Sequence, residues 1–459
     1  MRIGIPIAAA LLLTLSGCKV GPNYKRPVVD VPGQYRGLAP GAGSAGGNLS
    51  EMKWESVFPD EVLQALIKEA LTNNYDIRIA ASRILQAQAS VGVTRSNQLP
   101  ALNGSFGVET ARSATTPGSP TFDTAGLQLN YIVDFWGQFR RATEAARAQL
   151  LATEYARHLV ETTLIASIAS DYFQLRQLDS QLEFSQETVV SDQNSLRINT
   201  INYKGGEYAI TDVYQAKLLV EQAEAEVITL KQSIEQTENQ LSILLGRNPG
   251  SIPRGLNLVE EPHLDEVPVG LPSAILERRP DVRQAEELLA AANANVGVAK
   301  AAFFPQIPLT ASFGAQSTAL TSFLQGPATF WTLGGQLTQP LYAGGRITSQ
   351  YRLALAQRDE AELTYKQTVQ QAFADVSNSL VGYRQSRLYR MKLQEQTVTY
   401  KETSRLANVR FTGGATSFLE VLTTQQQYFT AELQTTQAWF AELQNYVQLY
   451  QALGGGWQH

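Results

Sequence analysis

Residues 76–93, DIRIAASRILQAQASVGV, and residues 281–298, DVRQAEELLAAANANVGV, align without gaps at an offset of 205. The match continues to Pro100 and Pro305, and from the middle of each half onward the offset is 208. At that offset Ala148-Gln149 meets Ala356-Gln357, Arg176-Gln177 meets Arg384-Gln385, Gly205-Gly206 meets Gly413-Gly414, and Leu245-Gly246 meets Leu453-Gly454. A period this long exceeds any solenoid repeat, whose units run roughly 20 to 45 residues. The chain is therefore one structural unit written twice.

Each copy carries the same order of elements. A helix-rich stretch (60–97; 273–301) has alanines and branched apolar residues at helical spacing and ends at a proline. Two alternating segments follow around a Gly/Ser/Thr/Pro loop, predicting strands at 101–112 and 122–135, then 307–318 and 328–342. No proline interrupts 137–203 or 345–411, and each stretch as one helix would run roughly 100 Å. Both stop at a double glycine, Gly205-Gly206 and Gly413-Gly414, where glycine's tolerance of positive φ ends a helix. A returning helix follows, 211–246 and 417–453.

The hairpins decide what such a chain must do with itself. Four strands of about ten residues are long enough to span a bilayer when tilted. Four strands cannot close a barrel, and open sheet edges are not tolerated in lipid. Copies of the chain are expected to share one barrel, and an open duct needs more than two chains, because about eight strands leave an interior filled by side chains. Aromatic residues group at two levels: Tyr131, Phe135, Trp136, Phe303, Phe304 and Tyr342 at one, Phe122, Phe323, Phe330 and Trp331 at the other. Each alone reads as an ordinary core or strand aromatic, whereas the grouping reads as a pair of interface girdles.

The N-terminus agrees with export. Arg2 precedes a run of about thirteen mostly apolar residues from Ile3 to Leu15, then Ser16 and Gly17, the layout of a secretory signal peptide (1–17). That run is too short for a transmembrane helix, which needs roughly 20 residues. Cys18 is the single cysteine of 459 residues and cannot form an internal disulfide. LSGC (15–18) resembles the bacterial lipoprotein cleavage motif, in which the cysteine becomes the lipid-bearing first residue. The next residue is Lys19, not the aspartate that keeps such proteins at the inner membrane, so the mature chain is expected at the outer membrane. A formal charge of −5 with no basic run argues against nucleic acid as a partner.

Residues 271–314, LPSAILERRPDVRQAEELLAAANANVGVAKAAFFPQIPLTASFG, together with CKVGPNYKRP (18–27), resemble the TolC/OprM family of outer-membrane efflux ducts, in particular its lipoprotein branch. The resemblance covers essentially the whole chain. It implies a mainly α protein with a small β part: a homotrimer whose twelve strands form one outer-membrane β-barrel, continued by a twelve-helix periplasmic α-barrel. It divides the chain into the signal peptide (1–17), a lipidated N-terminus and equatorial segment (18–59), a first repeat (60–246), an equatorial linker (247–272), a second repeat (273–454) and a tail (455–459). The implied role is a passive duct that exports small molecules from a periplasmic adaptor protein and an inner-membrane pump of the resistance-nodulation-division type. The alternative reading is an exit duct for protein or peptide secretion, or a lipoprotein scaffold that conducts nothing.

Nothing in the sequence reads as an enzyme, a cofactor site or a metal centre. His158, His263 and His459 have no metal-ligand spacing, and three methionines give no sign of copper or silver handling. Neither KGGE (204–207) nor TGGA (412–415) follows a strand with phosphate-loop spacing. The functional candidates are Cys18 as lipid anchor, Gly205, Gly206, Gly413 and Gly414 as adaptor-contacting turns, and Asp212 and Glu420 just past them. The two acids read equally as helix N-terminal charges complementing the dipole and as the acidic aperture that the family carries at its tunnel end. Thr423 and Thr424 stand where the family often has a second acid, a departure that weakens any cation ring.

Overall fold

The computed structural model describes residues 19–36, 49–110, 121–261, 270–317 and 328–457. Cys18, the signal peptide, His263, Phe323 and the side chain of Phe122 lie outside the described residues. The elements run α1 (Trp54–Val57), α2 (Glu61–Asn73), α3 (Tyr75–Ser96), β1 (Ala101–Thr110), β2 (Thr121–Ile132), α4 (Gln138–Lys204) and α5 (Ile210–Leu244). The second half repeats the order: α6 (Ile275–Arg278), α7 (Pro280–Ala301), β3 (Pro308–Ser317), β4 (Thr329–Gly335), α8 (Arg346–Thr412) and α9 (Phe418–Ala452). The long helices α4 and α8 have 67 residues each, and α5 and α9 have 35 each. Among the described residues no helix is long and apolar enough to cross a membrane.

Two compact units can be distinguished, and α4 and α8 contribute to both. The first comprises Met1–Val28, Ser82–Glu154 and Gln284–Gln367, the second Val29–Ala81, Tyr155–Arg283 and Thr368–His459.

The first unit holds the sheet. Its four strands pair antiparallel in the order β1-β2-β3-β4, so the two hairpins join through β2 and β3. The register sorts the side chains by face. Leu102, Phe106, Val108, Leu127, Leu129, Leu309, Phe313, Trp331 and Leu333 share one face, because Leu102 pairs with Leu129, Leu127 with Phe313, and Phe313 with Trp331. Polar side chains enter that face near the loop ends, as at Asp123, Ser317 and Thr329. The other face carries Asn103, Ser105, Gln128, Thr310 and Ser312, with Phe330 as an apolar exception. The apolar face is bare: Leu102, Phe106, Phe313, Trp331 and Leu333 are 62 % or more exposed.

Two strand ends differ from the sequence expectation. β4 stops at Gly335 instead of reaching 342, since its partner β3 begins at Pro308, which has no N–H to extend the ladder, and Pro340 has none either. A single bridge, Gln306 with Thr338, remains beyond it. β2 stops at Ile132, short of 135, because Asp134 turns to the start of α4 and accepts from the backbone N–H groups of Phe139 (3.1 Å) and Arg140 (2.9 Å).

At the foot of the sheet, Trp136 stacks on Phe304 (4.7 Å) and meets Phe135 edge-on (4.8 Å), while its indole N–H donates to the Pro305 carbonyl (2.8 Å). The N-terminal segment docks alongside. The fully buried Arg141 donates to the carbonyls of Val20 and Gly21 (3.1 Å each) and to Asn23 (2.9 Å), and Arg26 pairs with Glu286 (2.6 Å). Gly21, at φ +96°, lies so close to Gly297 that a Cβ would sit 2.5 Å from its Cα.

In the second unit, Phe58 packs edge-on against Tyr450 (5.8 Å) and tilted on Phe173 (6.4 Å), and Leu63, Ile67 and Ile168 are fully buried. Asp60 caps α2 through the Val62 N–H (2.7 Å) and also accepts from the Tyr172 hydroxyl (2.7 Å) and the Leu256 N–H (3.1 Å). Glu261 is buried beside this cluster. Burial, reinforced by the neighbouring Asp60 carboxylate, pushes its carboxyl up to about 8.

Candidate functional site

Both long helices end in the same hydrogen-bonded turn. The Glu207 N–H reaches the Asn202 carbonyl (2.9 Å) and the Gly206 N–H that of Tyr203 (3.0 Å); Ala415 reaches Arg410 (2.8 Å) and Gly414 reaches Phe411 (2.9 Å). These are Schellman caps, and in each the second glycine takes the left-handed conformation, φ 81° at Gly206 and 72° at Gly414. Gly205 and Gly413 have ordinary φ, so one glycine of each pair is demanded by the backbone. All four are exposed.

Apolar contacts bring the two turns together. Tyr208 packs on Phe411 (5.1 Å), Phe411 on Phe418 (5.3 Å), and Phe418 closes a cluster with Ala216, Ala407 and Val421. The two acids lie just behind and are engaged differently. Asp212 accepts from the backbone N–H of Ala209 (3.2 Å), turning back to cap α5, whose cap residue has no side-chain oxygen of its own. Glu420 pairs with Arg410 (2.6 Å) and accepts from the Thr416 hydroxyl. The sequence reading missed these partners, although the offset of 208 exposes them: Arg410 and Thr416 stand where the first repeat has Asn202 and Tyr208.

Further along the same helices a cavity of about 420 Å³ opens among α4, α5, α8 and α9, lined by Phe184, Asp192, Lys401, Arg405, Gln425 and Phe429. Burial pushes the Asp192 carboxyl up to about 6. Arg405 is held by Glu402 (2.7 Å). No nucleophile paired with a base lines this space, and among the described residues no group of three or more His, Cys, Asp or Glu could hold a metal ion. His158 bonds Glu161 (3.1 Å) and lies against Trp457 (4.8 Å).

Long helices in pairs, a small sheet with one bare apolar face and exposed glycine turns fit a channel component of a bacterial outer membrane. Comparison with known proteins agrees: the outer membrane efflux protein family matches residues 66–247 and 271–455, and the chain belongs to that family. It is 33 % identical over 462 residues to the cation efflux system protein CusC of Escherichia coli O6:H1, covering 99 % of this chain and 98 % of that one. It is 34 % identical over 458 residues to the solvent efflux pump outer membrane protein SrpC of Pseudomonas putida, covering 97 % of each. A crystal structure of CusC superposes with a TM-score of 0.87 at 29 % identity, over 96 % of this chain and all of that one. The protein is an outer-membrane efflux channel with a periplasmic extension.

Proposed function

We propose that three copies of this chain close a twelve-stranded barrel, continued by twelve helices, that serves as the passive exit duct of a tripartite efflux system. The observation that carries this reading is the four-stranded sheet. Among the described residues its outer strands β1 and β4 have no partner on their free edges, and one face exposes Leu102, Phe106, Phe313, Trp331 and Leu333. Such a sheet is stable in lipid only when its edges are paired by copies of itself. The test is intermolecular: cysteines placed along β1 (Ser105→Cys) and β4 (Thr332→Cys) should crosslink chains into trimers under mild oxidation. A folded, stable monomer in detergent would overturn the shared barrel.

In this reading the turns at Gly205-Gly206 and Gly413-Gly414 receive the periplasmic adaptor, which links the duct to an inner-membrane pump of the resistance-nodulation-division type. Asp212 and Glu420, six carboxylates in a trimer, line the aperture behind the turns. Cys18 carries acyl chains, and two or more are needed for stable anchoring. Cys18→Ser should abolish incorporation of radiolabelled palmitate, while the barrel still inserts. The relatives' names span cation and solvent efflux, so the duct itself is the shared part and the pump selects the cargo.

A further inference from the structure

A second cavity, of about 480 Å³, lies in the first unit at the foot of the sheet. Its charged lining is Lys19, Arg95, Arg140, Glu144, Arg147 and Glu287, four cations against two carboxylates. Glu144 is already shared by Lys19 and Arg141 (3.0 Å to the latter). Arg140 is held by the Asp134 carboxylate (3.3 Å) and carbonyl (3.1 Å). The guanidinium groups of Arg95 and Arg147 have no ion pair among the described residues. Both are exposed at the cavity, and with Glu144 and Arg140 already engaged the lining carries more positive than negative charge, which an anion from outside would offset.

The cavity's level in the fold says where that anion comes from. Arg95 is in the last turn of α3, six residues before β1, and Arg140 is in the first turn of α4, eight residues after β2. The Phe135–Trp136–Phe304 aromatic cluster sits at this same end of the sheet, and aromatic side chains gather at the head-group level of a bilayer. The sheet that begins beyond the cavity exposes an apolar face of the kind acyl chains cover. Guanidinium forks match phosphate oxygens in geometry as well as charge. The second repeat has no such site: at the positions equivalent to Arg140, Glu144 and Arg147 it carries Thr348, Arg352 and Leu355.

We infer that this cavity binds the phosphate of an anionic phospholipid from the leaflet facing the periplasm, one molecule per chain. The inference rests on the outer-membrane placement of the sheet and not on the lipid proposed for Cys18. Full-length protein extracted in detergent, mixed with phosphatidylglycerol and analysed by native mass spectrometry, tests it. Parent protein should retain the lipid, and Arg95→Gln with Arg147→Gln should weaken retention about tenfold, as expected for loss of charge-assisted bonds to phosphate. The double lysine variant should recover part of it, and Lys300→Gln, at the second repeat's counterpart of Arg95, should change nothing. Retention should persist in Cys18→Ser, which keeps failure of the anchor reading separate from failure of this one. Equal retention by the double glutamine variant, checked for unaltered heat stability, would overturn the proposal. So would capture of inorganic phosphate with exclusion of the lipid, which would assign the cavity to a soluble anion.

Discussion

The second unit ends four long helices with the same glycine cap, yet the two caps at the turns and the two at the other ends stand in opposite surroundings. At Gly206 and Gly414 an added Cβ would meet nothing within 4 Å. At Gly246 (φ 75°), which ends α5, it would lie 2.5 Å from the Asn73 carbonyl oxygen, and at Gly454 (φ 81°), which ends α9, 3.0 Å from that of Arg278. The same local rule therefore serves two purposes. At the turns glycine keeps an exposed loop small; at the far ends it lets a helix terminus press against the backbone of a neighbour. Duplication preserved both, since Gly246 and Gly454 are 208 apart, and Asn73 and Arg278 are 205 apart.

The largest effect is expected where space and conformation both forbid a side chain. Gly246→Ala should cost about 3–5 kcal/mol, adding an overpacked backbone contact to left-handed strain. Gly206→Ala meets open space and should cost about 1–2 kcal/mol from conformation alone. Heat-dissociation midpoints of the purified protein check the contrast. Equal losses at the two positions would erase the distinction between open and filled caps.

The next effect separates the two repeats at a position where they solve one problem differently. The last carbonyls of α5 and α9 each receive a side chain: Asn74 donates to Leu244 (2.9 Å), and Arg279, at the equivalent place, donates to Ala452 (3.3 Å). Arg279 also reaches Asp281 (2.6 Å) and Asp375 (2.9 Å), and the counterpart of Asp375 in the first repeat is Ser167. The first repeat keeps the counterpart of Asp281 as Asp76 but has no second acid, and an asparagine suffices there; the arginine stands where the second acid, Asp375, is present. Arg279→Asn, which copies the first repeat, should cost about 3 kcal/mol by stranding two partly buried carboxylates. Adding Asp375→Ser should recover part of that loss, and a double-mutant cycle on the same midpoints measures how much.

A smaller contrast depends on pH. The cluster around Glu261 belongs to the first repeat: its Tyr172 has Leu380 as its counterpart, and the counterpart of Asp60, Asp265, lies outside the described residues. Glu261 titrates near 8, above its ordinary 4.5, because it is buried and faces Asp60, with Arg176 opposing the shift. A carboxyl with a raised folded pKa contributes stability that is full below its ordinary value and is lost as pH rises through about 8. The parent's heat-dissociation midpoint should therefore fall as pH rises from about 4.5 to about 8 and level off above it, and Glu261→Gln, neutral at every pH, should flatten the fall. An unchanged slope over that range in the variant would assign the pH dependence to other groups.

Much of this architecture was legible in the sequence because the duplication gave every element two readings. The proline-free runs, the glycine turns and the alternating strands recur at a fixed offset, so a weak signal in one half was supported by the other. Extents were read less well than identities: alternation continues through Gln336 to Tyr342, but a ladder needs N–H groups on both strands, and Pro308 and Pro340 withhold them. The partners of the tip acids and the basic cavity were not read at all. Both depend on residues in which the halves differ, such as Arg410 against Asn202 and Arg147 against Leu355, and a search for likeness passes over such places. The turns and the tip acids were legible because both repeats carry them; what surrounds the acids was not, because there the repeats differ.

The smallest change in stability, and the most direct test of function, lies at those tip acids. Arg410 and Glu420 form a pair with side chains 55 % and 36 % exposed, so breaking it should cost no more than about 1 kcal/mol of stability. Its effect on ions passing the aperture should be larger. Arg410 offsets the charge of Glu420, whereas Asp212 keeps its own, engaging only a backbone N–H. Arg410→Ala should therefore raise the preference of the reconstituted duct for cations over anions. Asp212→Asn with Glu420→Gln should lower that preference and relieve block by divalent ions, since like charges from three chains converge there in the proposed trimer. The asparagine retains a side-chain oxygen to accept from Ala209, so the helix start survives while the charge is removed. Planar-bilayer recordings of the parent and both variants distinguish the roles: opposite shifts place the carboxylates in the conducting path, and identical selectivity in all three reduces Asp212 to a helix cap and Glu420 to one half of a surface ion pair.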